Sequence, residues 1–254
     1  MIVIEGLTKR YGDFQAVNGI SLQIEAGEIF GFLGVNGAGK TTTLRMLTGV
    51  LKPTTGRIVI AGFDMAKDPE RAKALIGYIP DRPYLYNRLT SREYLYFVAD
   101  LHSVEKRAAE FAIDELLEAY GLKQWENELI EGFSHGMKQR LSICAALVHR
   151  PKVLIVDEPM VGLDPHGAKL LKDNFREYAR SGLAILLSTH SLNVAEELAD
   201  RLAIINRGTV VSIGTLAEIR TATGSGDKRL EEIFIDLTWS ANGVESESFD
   251  TQLT

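Results

Sequence analysis

Short apolar runs rich in β-branched residues alternate along the chain with stretches whose apolar residues recur at helical spacing. The runs predict strands at 2–5, 20–24, 29–33, 57–60, 76–79, 153–157, 184–188, 202–206 and 210–213. Two of them, VLIVD and AILLS, lack polar alternation, as expected of central strands covered by helices on both faces. Helices are predicted at 41–48, 92–102, 106–120, 135–149, 167–179 and 192–199. In the fifth, Leu171, Phe175 and Tyr178 fall at i, i+4 and i+7 and predict one buried stripe. This alternation predicts an α/β domain with a parallel core. Two stretches depart from it. The first sixty or so residues and the end of the sheet carry the turn signals Tyr11-Gly12-Asp13, Ala26-Gly27-Glu28 and Asn206-Arg207-Gly208, which predict hairpin-like strands. Residues from about 85 to 150 read as consecutive helices, an inserted helical subdomain.

Composition narrows the class. With 45% apolar and 24% charged residues in 254, wholesale disorder is excluded. The net charge is −6, and half of that excess sits in Glu245, Glu247 and Asp250 of a polar tail (238–254), expected to be solvated and disordered. No polybasic block supports sequence-independent nucleic-acid binding, although a local basic face is compatible with the count. The single cysteine, Cys144, excludes an intrachain disulfide and a cysteine zinc cage, and its apolar helical neighbours mark it as core. No apolar run reaches the roughly 18–20 residues of a membrane span, and the start MIVIEGLTKR is not a signal peptide. The expectation is a cytosolic chain whose membrane link, if any, runs through a partner.

The chemistry lies at the ends of strands. Gly34-Val35-Asn36-Gly37-Ala38-Gly39-Lys40-Thr41 fits G-x-x-x-x-G-K-[ST], follows the strand at 29–33 and opens a helix. Glycines let the backbone wrap an anion, helix-start amides point at phosphates, Lys40 adds a compact charge, and the Thr41 hydroxyl can ligate Mg²⁺. The strand at 153–157 ends in Asp157-Glu158. An acid at a strand's carboxyl end in an open α/β sheet lies where ligands bind, so Asp157 can hold hydrated Mg²⁺. Glu158 is expected to project differently, by strand alternation, and to reach the attacking water. His190 ends a further apolar strand, AILLSTH, and is expected to contact the γ-phosphate.

Phe133-Ser134-His135-Gly136-Met137-Lys138-Gln139-Arg140 lies 23 residues before Asp157, counted from Ser134. It resembles the LSGGQ signature of ATP-binding-cassette (ABC) ATPases. The resemblance extends over residues 1–237 in the expected motif order, and implies a single nucleotide-binding domain of the P-loop NTPase fold. That fold has a RecA-like parallel core sheet, an antiparallel β subdomain and an inserted helical subdomain. By resemblance Tyr11 matches the adenine-stacking aromatic, Gly34–Thr41 with Thr42 the Walker A loop, and Val153–Asp157 the Walker B strand. Glu158 matches the catalytic glutamate, Gly162-Leu163-Asp164 the D-loop and His190 the switch histidine. Lys40, Glu158 and His190 are thus the expected catalytic set. Gly34, Asn36, Gly37, Ala38, Gly39, Thr41 and Thr42 would bind ATP, with Ser134, Gly136 and Asp164 facing ATP held by a second copy or a homologous ATPase subunit. Ser134 opens a helix and can donate to phosphate, and Gly136 permits close approach. Phrases such as Ile76-Gly77-Tyr78-Ile79-Pro80 and Leu230-Glu231-Glu232-Ile233-Phe234 are similar to the ABC-2-type exporter branch. This implies integral-membrane permease partners, export as the direction, and a place on the cytoplasmic face of the membrane.

Three departures stand out. His135 replaces a signature glycine, Met137 replaces the signature glutamine, and Asp81 occupies the place of the Q-loop glutamine, where a carboxylate can still ligate magnesium. They bear on coupling to the membrane subunits rather than on hydrolysis. Tyr84, Tyr86, Tyr94, Tyr96 and Phe97 follow Asp81 and are equally compatible with subdomain core and with a groove for a membrane partner. Among rival readings, genome-maintenance relatives carry long insertions, whereas Asp81 to Ser134 spans only 53 residues, and translation-factor relatives carry two cassettes. A binding module without turnover is opposed by Glu158 and His190.

Overall fold

The unbroken apolar runs form the middle of a six-stranded sheet. A computed structural model describes residues 1–161, 163–226 and 228–239. The N-terminal third contains β1 (Ile2–Tyr11), β2 (Phe14–Ile24), β3 (Ile29–Leu33), α1 (Lys40–Leu47), β4 (Thr55–Ile60), β5 (Phe63–Asp64), α2 (Pro69–Ala74) and β6 (Ile76–Ile79). Helices α3 (Ser91–Leu101), α4 (Lys106–Ala119) and α5 (His135–Leu147) follow without an intervening strand of the sheet. The chain then runs through β7 (Val153–Asp157), α6 (Pro165–Arg180), β8 (Ala184–Thr189), α7 (Leu192–Leu198), β9 (Arg201–Asn206) and β10 (Thr209–Gly214). It continues into α8 (Leu216–Ala222) and α9 (Leu230–Trp239).

The larger sheet has the order β10-β9-β3-β8-β7-β6 and is parallel except for the β9–β10 hairpin. A second sheet, β2-β1-β4-β5, is antiparallel. Every residue of β3, β7 and β8 is buried. The pleat divides them between two cores: Val153, Ile155, Ala184 and Leu186 face α1 and the antiparallel sheet, while Leu154, Val156, Ile185 and Leu187 face the helical side. That double coverage is why these strands carry no polar alternation. Cys144 lies in the helical-side core, fully buried, and burial pushes its thiol well above the usual range.

Several elements are longer than periodicity alone predicts. Strand β1 continues past Glu5 to Tyr11 through register shifts, Gly6 having a left-handed φ of 57°. These bulges break the alternation that marks a strand. Strand β5 and helices α2, α8 and α9 lie where no element is predicted. Helix α2 has only six residues and one buried side chain, and α8 buries only Ile219, so neither shows a legible stripe. In α6, Leu171 and Phe175 are buried as predicted, but Ala179 completes the stripe and Tyr178 is half-buried. The aromatic stretch divides: Tyr94 is core, whereas Tyr84, Tyr86 and Phe97 are exposed. The predicted tail begins two residues too early, because α9 runs to Trp239 and Thr238 is buried, donating to Phe234 O at 2.7 Å; its remaining residues 240–254, with Gly162 and Asp227, lie outside the described residues.

Candidate functional site

Register assembles the site. Leu33 pairs with Thr189, and Asp157 with Ser188, so β3, β8 and β7 end level, with β8 in the middle. The chain leaves these ends as the glycine loop, His190 and Glu158, all at the carboxyl edge where α/β sheets bind ligands. Gly34 N donates to Thr189 O at 3.4 Å and Glu158 N to Ser188 O at 3.0 Å, extending the sheet bonding into the loops.

A cavity of about 330 Å³ opens there, lined by Phe14, Ala16, the loop residues Val35, Asn36, Gly37, Gly39, Lys40, Thr41 and Thr42, and the acids Asp81, Asp157 and Glu158. Gly39 caps α1 with φ 106°, and a Cβ there would lie 2.6 Å from Ala16 O, so only glycine fits. Lys40 is buried and donates to Gly34 O at 2.7 Å and Val35 O at 3.3 Å. Burial holds its ammonium below the usual range, opposed by the nearby charges of Glu158 and Asp157.

Asp157 accepts from Ser188 Oγ through Oδ1, while Oδ2 is buried with no partner among the described residues. An orphaned carboxylate oxygen is costly, and a cation in this cavity would satisfy it. Thr41 and Asp81 line the same cavity, so the oxygen donor set fits a hard divalent ion such as Mg²⁺.

Glu158 is not the next residue of a pleated strand, contrary to the alternation argument. Strand β7 ends at Asp157, and Glu158 adopts a left-handed φ of 49° that turns its side chain back over the sheet edge. For a non-glycine residue this costs of order 1–3 kcal/mol. There Glu158 Oε1 lies 2.8 Å from His190 Nδ1 and 3.8 Å from Lys40 Nζ, and Oε2 accepts from Thr189 Oγ1 at 3.2 Å. Because a carboxylate only accepts, the His190 proton is on Nδ1.

The structure thus gathers Lys40, Thr41, Asp81, Asp157, Glu158 and His190. It does not bring Tyr11, Ser134, Gly136 or Asp164 to this cavity. Tyr11 is exposed at the end of β1 with Lys9 Nζ 5.1 Å over its ring, and Phe14 forms the cavity wall instead. Ser134 caps α5, accepting from Met137 N at 3.2 Å, and Asp164 caps α6, accepting from Gly167 N at 2.7 Å. Ser188 and Thr189, which hold the two acids, directly precede His190 but carry no motif of their own. In the sequence Gly208 marks only a turn. Its N–H donates to Ala38 O at 2.9 Å and its carbonyl accepts from Asn18 N at 2.8 Å, so the β9–β10 turn buttresses the glycine loop.

Comparison with known proteins agrees with this geometry. The family described as ABC transporter matches residues 17–161. A daunorubicin resistance ATP-binding protein of Streptomyces coeruleorubidus is 37% identical over 227 residues, covering 89% of this chain and 72% of the relative. The bacitracin transport ATP-binding protein of Bacillus licheniformis is 43% identical over 206 residues, covering 81% and 66%. A solved ATP-binding subunit of an ABC transporter superposes with a TM-score of 0.89 at 33% identity, covering 93% of this chain and 99% of that one.

Proposed function

The chain belongs to the ABC transporter family, as an ATP-binding subunit of the exporter-like branch, and from that premise we propose how its residues divide the work. It is an ATPase of transport rather than one acting on nucleic acid or the ribosome. No described helix is long and apolar enough to cross a membrane. On the resemblance to drug-resistance and bacitracin-transport ATP-binding proteins, the pore is assigned to separate integral-membrane permease subunits, with this chain on their cytoplasmic face and export as the direction of transport.

In this reading the amides of Asn36, Gly37, Ala38, Gly39 and Lys40 and the Lys40 ammonium hold the β- and γ-phosphates of ATP. Thr42 lies beside them in the same cavity. Thr41, Asp157 and Asp81 would hold Mg²⁺, which would supply positive charge beside the phosphates. Glu158 orients water and accepts its proton, and His190, bonded to the same carboxylate, steadies its position and the γ-phosphate. Tyr11, paired across the β1–β2 hairpin with the wall residue Phe14, is assigned to the adenine by resemblance. Ser134, Gly136 and Asp164 lie on other surfaces and serve the nucleotide of a second copy or homologous subunit, giving two ATPs in a head-to-tail dimer.

The observation that carries this reading is the convergence of Lys40, Asp157, Glu158 and His190 on one sheet edge through the β3-β8-β7 register. A phosphate-release assay with and without Mg²⁺ tests it. Hydrolysis that depends on Mg²⁺ and is lost in Lys40→Ala is expected, and near-normal turnover in that variant would overturn the assignment of the loop.

A further inference from the structure

A second cavity lies away from the catalytic edge. It has a volume of about 620 Å³ and opens at the C-terminal end of α1, the helix whose other end carries the phosphate loop. Its apolar lining includes Met46, Leu51, Ile58 and Met65. Its charged lining is Lys52, Arg57, Lys67 and Lys73 against a single carboxylate, Asp64. This is a strongly positive recess in a chain whose net charge is −6.

The one acid is already engaged. Asp64 Oδ2 accepts from Arg57 Nε at 2.7 Å and Oδ1 accepts from Ala66 N at 2.9 Å, so neither neutralises the lysines. Among the described residues Lys52, Lys67 and Lys73 make no ion pair and their ammoniums make no hydrogen bond. The stem of Lys73 is laid across Gly49: a Cβ at that glycine would lie 3.3 Å from Lys73 Nζ and 3.1 Å from Met65 Sδ. Three lysines without an ion pair therefore line one recess from three segments, the loop after α1, the loop after β5, and α2.

We propose that this cavity binds a phosphate group carried on an apolar body. Lysines recognise phosphate as point charges, without the paired geometry an arginine fork demands, and the only arginine here is committed to Asp64. A bare anion would leave the half-buried Leu51 and Met65 uncovered, and a neutral apolar molecule would make no use of the three lysines. The volume falls in the range of small-ligand sites, about 300–1,000 Å³. A phospholipid headgroup and a free phosphomonoester share this chemistry. The site goes beyond ATP hydrolysis and shares no residue with the catalytic cavity.

The test is amide-resolved NMR on the full ¹⁵N-labelled chain, titrated with dihexanoylphosphatidylglycerol as monomer, with dihexanoylphosphatidylcholine, and with glycerol 3-phosphate. Gly49, Gly56, Met65 and Ala66 report on this cavity, while Gly37 and Gly39 report separately on the phosphate loop. The expected result is saturable shifts at the first group with the anionic lipid. Affinity should weaken by about tenfold or more in Lys67→Gln/Lys73→Gln, which loses two charge-assisted contacts. ATP turnover of that variant should match wild type. Absence of shifts at those amides with the anionic lipid, or equal shifts with the zwitterionic lipid, would overturn the proposal. Glycerol 3-phosphate binding as tightly as the anionic lipid would overturn the role of the apolar floor. Weak binding of it would place the ligand among lipids rather than free phosphomonoesters.

Discussion

Glu158 and His190 are joined by a 2.8 Å hydrogen bond between Oε1 and Nδ1, although 32 residues separate them in the chain. The bond exists because β7 and β8 are neighbours in register and both chains turn at the same sheet edge. It fixes the orientation of a carboxylate whose own backbone is strained. Glu158→Gln keeps the shape and removes the proton acceptor. Turnover should fall by about 10²–10⁴-fold while equilibrium ATP binding persists, because binding does not require that carboxylate. The variant should also collect as an ATP-dependent dimer by size exclusion with light scattering. Wild-type turnover would remove Glu158 from the mechanism.

His190→Ala removes the group that holds Glu158 from the solvent side but leaves Thr189 Oγ1 and Lys40 in place. A smaller loss in kcat than that of Glu158→Gln is expected, and the loss in the double variant should be less than the product of the two single losses. Additive losses would show that the two side chains act independently.

Ser134→Arg separates binding from turnover. Ser134 lies outside the catalytic cavity of its own chain, so ATP binding by the monomer should be nearly unchanged while hydrolysis is lost. Equal loss of both, in binding measurements and phosphate release, would place Ser134 in its own subunit's site or in the support of the fold.

Gly208 is at φ 79°, and a Cβ there would lie 2.8 Å from Ala16 O. Gly208→Val should destabilise the chain by about 1–3 kcal/mol in urea unfolding and weaken ATP binding through the Ala38 contact. Its neighbour Arg207 is also left-handed, at φ 48°, but Arg207→Gly relieves that conformation and should be neutral or slightly stabilising. An ordinary response in Gly208→Val would mean that the turn does not support the loop.

Acid sensitivity should centre on His149. Its ring stacks on His102 at 3.7 Å, its Nε2 donates to Ile76 O at 3.1 Å, and its Nδ1 is buried without a partner. Burial first, and then His102, push it down to about 4. The unfolded chain, with an imidazole near 6.5, binds a proton through this window that the folded chain refuses. Stability should therefore fall as pH drops from about 6.5 toward 4, with no contribution from this group above that range. Urea midpoints at pH 7 and pH 5 should differ less in His149→Phe than in wild type. An unchanged difference would assign the acid sensitivity elsewhere.

The local motifs were legible because their chemistry is written in consecutive residues. A glycine loop needs its glycines and lysine within one turn, and VLIVD and AILLS announce buried strands by lacking polar positions. The sequence therefore determined that Lys40, Asp157, Glu158 and His190 stand at strand ends. It could not show which strands are neighbours. The order β3-β8-β7, which puts the strand of His190 between those of Lys40 and Asp157, is decided by how two sheet faces share their apolar residues between α1 and the helical side. The direction of Glu158 was likewise decided by a left-handed turn, because strand alternation ends where the ladder ends. Support from Ser188, Thr189 and Gly208, and the basic recess of Lys52, Lys67 and Lys73, arise from segments apart in sequence. Only packing makes them adjacent, since hydrogen bonds and charges act over a few ångströms of space, whatever their separation along the chain.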